Sequence, residues 1–318
     1  MGGVNLIVSC TKRKTRESRA SLRLRDFGTF ATVEDRVEAW LKQLRAERSH
    51  LIEAGLLYSG DHWSVVRTIL DMKDAARPVR VWVCSAGYGL VTPSSLLAPY
   101  DATFAPGQPD SVATNGMSPK DVLPAWWDAL ATWQGPKGVP CRTIASVARD
   151  HPDDFLLVAL SDGYMKAVSG DLVEARGALA DRERMAIICA GADVMPGIEA
   201  HQLPCDSRLQ PIAGGALASL NVRLAHRLLQ SSRKELALSR CRAMFDRWMD
   251  ANPEREAPSR TPMSDDEVRS FISNSLAGNP DQRPTPLLQM LRRSGKACEH
   301  SRFVGLFREV EGLRHASR

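Results

Sequence analysis

No stretch of this 318-residue chain approaches the run of about 18 apolar residues that a membrane span requires, so no membrane partner is expected. Paired metal ligands are missing as well. The seven cysteines, at 10, 84, 141, 189, 205, 241 and 298, and the seven histidines form no CxxC or HExxH grouping, so no metal is expected. An odd, scattered cysteine set fits a reducing compartment, the cytoplasm. There is no full dinucleotide fingerprint and no P-loop, and no cofactor is expected. Neither an internal repeat nor a low-complexity tract is visible. The opening residues, Met1 to Cys10, lack a basic start and meet charge too soon for a signal peptide, and Leu6 stands where a myristoylation motif wants Ser or Thr. They read as a first strand. Tyrosine is scarce too: Tyr58, Tyr88, Tyr100 and Tyr164 are all there are.

What is present looks globular. Apolar residues make up 43% and charged residues 25%, which argues against global disorder. The length suits one large domain with a smaller one beside it. A formal net charge of +5 favours a polyanion without requiring one, and arginines crowd the last third of the chain.

Five short runs rich in Val, Ile and Leu alternate with helical stretches: Val4 to Ser9, Val79 to Cys84, Phe155 to Leu160, Met185 to Cys189 and Glu199 to Leu203. That alternation predicts an α/β fold, an open and mainly parallel sheet with flanking helices. Apolar spacing predicts helices over Val33 to Ala54 and Trp63 to Met72, and Ser118 with Pro119 starts another that ends near Trp133. The first domain spans residues 1–250. Three prolines mark 251–263 as a linker. Ser264 and Glu267 then form a capping box for the first of three helices in a small all-α domain, 264–318.

Each of the first four runs ends in small polar residues: Ser9-Cys10-Thr11-Lys12, Ser85-Ala86-Gly87-Tyr88-Gly89, Ser161-Asp162-Gly163-Tyr164 and Ala190-Gly191-Ala192-Asp193. Ligands of open α/β sheets bind at the carboxyl ends of the strands, so four such ends favour a pocket over four ordinary turns. Gly214-Gly215 opens a helix and fits either a phosphate cradle or close packing of that helix on the sheet.

The densest motif runs from Cys84 to Phe104 and ends in Pro99-Tyr100-Asp101. Together with Ser9-Cys10-Thr11-Lys12-Arg13-Lys14 and Leu57-Tyr58-Ser59-Gly60, it resembles the DUF6884 family, relatives of the peroxide-stress protein YaaA, over roughly residues 1 to 225. The resemblance implies a fold related to uracil-DNA-glycosylase-like domains and a nucleobase or DNA ligand. Similar proteins are associated with modified bases and phage defence, so the implied partner is double-stranded, modified DNA and the implied activity is a DNA glycosylase. Alternatives are a non-enzymatic DNA-binding stress protein and a nucleotide or nucleoside transferase.

A glycosylase needs a pocket for an extruded base and a carboxylate that orients water or stabilises the cationic sugar. Asp101, Asp162 and Asp206 are the candidate carboxylates. Asp101 could equally cap a turn, Asp162 could cap the following helix, and Asp206 could pair with Arg208. Cys10, Ser85, Gly87, Tyr88, Tyr100 and Ser161 are the candidate base-binding residues, with stacking assigned to tyrosine. Cys10 has no histidine placed by sequence to activate it as a nucleophile. Lys12, Arg13, Lys14, Arg208, Arg283, Arg292, Arg293 and Lys296 are candidate DNA contacts. For the first three the competing reading is a solvated charge run, and for the C-terminal set it is basic residues drawn to a helix C-terminus.

Overall fold

A computed structural model describes residues 2–28, 30–72, 77–113, 116–191, 193–231, 235–252 and 260–316. It separates into two compact units, residues 1–253 and 254–318.

The first unit is built on a five-stranded sheet. Its strands are β1 (Val4–Ser9), β2 (Val79–Ser85), β3 (Gly89–Val91), β4 (Phe155–Ala159) and β5 (Met185–Ile188), in the spatial order β3-β2-β1-β4-β5. β1, β2, β4 and β5 run parallel, and β3 folds back antiparallel on β2. Every residue of β1 and β4 is buried, as expected of strands covered on both faces, and Asn5 within β1 donates to Asp154 and accepts from the Trp82 indole. The fifth strand is therefore not the predicted Glu199 to Leu203. That segment makes a 3-10 turn, Glu199–His201, which packs against β5, followed by a bridge from Gln202 to Ile187.

Helices cover the sheet in two groups. In the first, α1 (Val33–Ala46), α3 (Pro119–Thr132) and α5 (Asp162–Ala167) pack in succession, and α4 (Ile144–Asp150) packs on α6 (Ser169–Ala178). In the second, α2 (Asp61–Leu70) lies against α7 (Leu220–Ser231), while α7 and α8 (Leu238–Asp250) cover β4 and β5. α1 is eight residues shorter than its apolar pattern suggested, since the chain beyond Ala46 turns to form a short antiparallel pair, Ile52–Glu53 with Leu96–Leu97. α4 has no carboxylate of its own in its first turn. Buried Asp171 of α6 instead accepts hydrogen bonds from the Ile144 and Ala145 amides, both at 2.8 Å, and from the Trp127 indole at 3.1 Å.

The second unit holds α9 (Asp265–Gly278), α10 (Pro284–Arg293) and α11 (His300–Ala316) around a core that includes Ile272, Leu291 and Phe303. The capping box at α9 forms as its sequence dictates, with the Ser264 hydroxyl and Glu267 carboxylate each bonding the other's amide. Residues 261–262 of the expected linker pair in parallel with Lys296–Ala297 and so belong to this unit, while 253–259 lie outside the described residues.

Candidate active site

β1 connects to β2 on one side and, after the β3 hairpin, the chain crosses to enter β4 on the other side of β1. The carboxyl ends of β1 and β4 therefore flank the topological switch point where open α/β sheets place their ligands. Cys10 follows β1, its amide bonded to the Cys84 carbonyl at 2.9 Å, and its thiol lies 3.1 Å from the hydroxyl of Tyr164 in α5, the helix that follows β4. A buried hydroxyl network adjoins this point. The Tyr100 hydroxyl lies 2.9 Å from that of Tyr58 and 2.7 Å from the Ser85 hydroxyl. Burial pushes the tyrosine hydroxyls of Tyr58, Tyr100 and Tyr164 well above their ordinary value, so all three stay protonated at neutral pH.

Lys14 stands at the mouth of this network. An antiparallel bridge to Tyr58 fixes its backbone, and its ammonium lies 4.3 Å from the centre of the Tyr100 ring while donating to the Thr11 carbonyl at 3.2 Å. Burial lowers the Lys14 pKa against the opposing pull of Cys10, Asp101 and Asp110. The aromatic face and the carbonyl favour the ammonium form, so the group is a cation that yields its proton more readily than a solvated lysine.

Lys12, Lys14, Asp101, Thr103, Gln108 and Asp110 line a cavity of about 10 Å³ here. That is the room of one water molecule. Asp101 accepts from the Ser18 hydroxyl at 2.6 Å and from the Arg25 guanidinium at 3.3 Å, with Arg23 a further 3.8 Å ion-pair neighbour. Buried Asp110 shares the Arg25 guanidinium, accepting from its Nε at 2.9 Å and pairing at 2.7 Å with the same Nη2 that meets Asp101. The site is thus a set of alternating charges on a floor of protonated hydroxyls.

Of the predicted base-binding residues, Ser85, Gly87, Tyr88 and Tyr100 form this floor from behind. The Ser85 hydroxyl accepts from the Gly87 and Tyr88 amides, and the Trp40 and Trp126 indoles donate to the Gly87 and Ala86 carbonyls, both at 2.8 Å. A Cβ on Gly87 would stand 2.5 Å from the Tyr100 ring, so only glycine lets the tyrosine lie there. The Tyr88 hydroxyl is engaged with the backbone of Ala98. Arg142 holds the same turn from outside, donating to the carbonyls of Tyr88, Leu90, Leu130 and Trp133. Ser161 is exposed at the start of α5 and makes no side-chain cap.

The three candidate carboxylates do not share the cavity. Asp162 lies in the first turn of α5, ion-paired with Lys166 at 2.8 Å. Asp206 caps the 3-10 turn Ser207–Leu209 and holds the Arg208 guanidinium at 2.7 Å, which keeps its carboxyl below the usual aspartate range. Asp206 thus takes the structural role that the sequence left open, whereas Asp162 does not cap α5, whose N-cap is Ser161, and holds Lys166 instead. Gly214 and Gly215 are exposed and have positive φ, 68° and 69°; a Cβ on Gly215 would meet the Arg223 guanidinium, which is ion-paired to Asp61 at 2.5 Å, and neither glycine packs the helix on the sheet.

Lys12 and Arg13 are exposed at the rim, Lys12 reaching Gln108 at 3.3 Å. In the second unit Arg283, Arg293 and Lys296 are exposed around α10, while Arg292 donates to the Cys298 carbonyl at 3.0 Å and so has an internal task. Sequence reading missed Ser18, Arg25, Thr103, Gln108 and Asp110, which reach the site only through tertiary contacts. Among the described residues no group of His, Cys, Asp and Glu is arranged to hold a metal, and no helix is long and apolar enough to cross a membrane. No family model, no curated protein and no solved structure matches the chain.

Proposed function

We propose that the chain is a DNA-acting N-glycosylase whose reacting groups are Lys14 and Asp101. The observation that carries this reading is the sharing of one water-sized cavity, lined in part by the loop that follows β1, by a partly desolvated amine and a carboxylate. Cleavage of an N-glycosidic bond separates charge: the electron pair of the C1′–N bond goes to the departing base while the sugar becomes cationic. Lys14 gives its proton to the base, and Asp101 faces the sugar, where it stabilises the cation and takes the proton of the water that adds to C1′. Lowering the amine's pKa brings it nearer to working pH, which suits a general acid. The exposed Lys12 and Arg13 at the rim supply phosphate contacts, and Arg283, Arg293 and Lys296 offer a second set. Modified phage DNA is the favoured substrate, in keeping with the family that the sequence resembles.

The test is release of free base from modified and unmodified duplex DNA. Lys14→Met and Asp101→Asn each lower it at least a hundredfold with folding intact, whereas Asp162→Ala leaves it unchanged. Release undiminished in both site variants would overturn the assignment.

One observation favours a non-enzymatic DNA-binding protein instead: Asp101 is already engaged by Ser18 and Arg25. That reading expects DNA binding with no base released by the wild-type protein.

A further inference from the structure

The cavity at Lys14 is too small for a base, but a second hollow begins at its wall. Gln108 lines both. The second hollow measures about 760 Å³, within the range of small-ligand sites. No charged side chain lines it among the described residues. Phe27 and Met117 supply apolar surface, and the Phe27 ring is steadied by Trp40, with ring centres 5.5 Å apart.

Its lining includes three glycines, Gly28, Gly107 and Gly116. A Cβ built on any of them would meet no atom within 4 Å. Gly107 and Gly116 have positive φ, 73° and 89°, so glycine is favoured at these two by the backbone. Gly28 carries no such constraint, and neither strain nor crowding explains it. Bare backbone at these places lets a flat ligand approach the main chain.

Gln108 sits near the tip of a loop with fixed ends. Thr103 and Ser111 form a parallel bridge at its base, and Asp110 anchors it to Arg25. The Gln108 carbonyl oxygen accepts from Lys12. A carboxamide presents one donor beside one acceptor, the complement of a nucleobase edge.

We infer that this hollow is the seat of an uncharged planar nucleobase, lying on Phe27 and Met117 against the bare backbone of Gly28, Gly107 and Gly116, with the Gln108 amide reading its edge. The inference rests on the proposed glycosylase reading for its chemistry but not for its binding. Gln108 then stands between the ring and the cavity lined by Lys14 and Asp101.

The experiment titrates the four standard deoxynucleosides, one at a time, into the full-length protein by calorimetry. At least one saturates at millimolar concentration or below. Gln108→Ala weakens it at least tenfold, and Gly28→Phe, which fills the hollow from a position with no clashing neighbour, abolishes it while the melting temperature is kept. Saturation by none of the four, or binding indifferent to both variants, would overturn the inference. A nucleoside that binds as described to a protein that releases no base from DNA would leave the hollow standing and remove the glycosylase. Base release at the full rate by Gly28→Phe would do the reverse.

Discussion

The Cys10 thiol and the Tyr164 hydroxyl meet at 3.1 Å where β1 and β4 deliver their carboxyl ends, joining two segments 154 residues apart. Both groups are buried, and each has a further polar neighbour, Tyr100 for the thiol and Thr103 for the hydroxyl. Tyr164→Phe leaves the thiol without this partner and is expected to cost about 1 kcal/mol in urea denaturation.

The tyrosines also set the alkaline limit of the fold. Burial raises the pKa of all four above the ordinary value of 10.0, so the folded protein holds protons there that the unfolded chain releases. Their contribution is complete below pH 10 and is lost as the pH climbs from there toward the folded-state values. Stability measured between pH 9 and 12 should therefore fall, and absorbance near 295 nm should rise with unfolding and not before it.

Gly87→Ala places a methyl group against the Tyr100 ring and should cost about 1–3 kcal/mol by overpacking. Thermal denaturation reads the loss. Base release should fall with it, because Lys14 rests on the same ring.

Asp171→Ala removes one carboxylate from two helix-start amides and an indole. Buried donors then lose their acceptor, and the expected loss is about 3 kcal/mol, read from the denaturant midpoint at unchanged slope.

For the second unit, replacing Arg283, Arg293 and Lys296 together by alanine should leave its folding intact and lower the slope of log affinity for DNA against log salt by roughly 2.7, if each meets one phosphate. Arg292→Ala should instead destabilise the unit, since its guanidinium holds the Cys298 carbonyl. An unchanged salt slope in the triple variant would remove this surface from the DNA interface.

The architecture was legible where burial on both faces forces mostly apolar runs, as in β1, β4, β5 and the buried end of β2, Val81 to Ser85. β3 was not, because three residues, Gly89 to Val91, carry no period and owe their pairing to the turn that precedes them. Glu199 to Leu203 misled for the opposite reason, being a short apolar-ended segment that a 3-10 turn satisfies as well as a strand. At the site, Asp101 stood out from its motif, but nothing local separated Lys14 from Lys12 and Arg13. What distinguishes it is a bridge to Tyr58 and a ring supplied by Tyr100. Gln108 meets Lys12 across 96 residues, and Arg25 meets Asp101 across 76, distances over which sequence spacing holds no signal.

Arg142 has a consequence for how molecules of this protein meet one another. β3 closes one side of the sheet, and a strand in that position ordinarily offers its free backbone groups to any passing chain. Here the Leu90 carbonyl is already occupied by the Arg142 guanidinium at 2.5 Å, and the strand is only three residues long. A foreign strand would find too few open acceptors to add itself, so the sheet resists growing into intermolecular β-aggregates along that border.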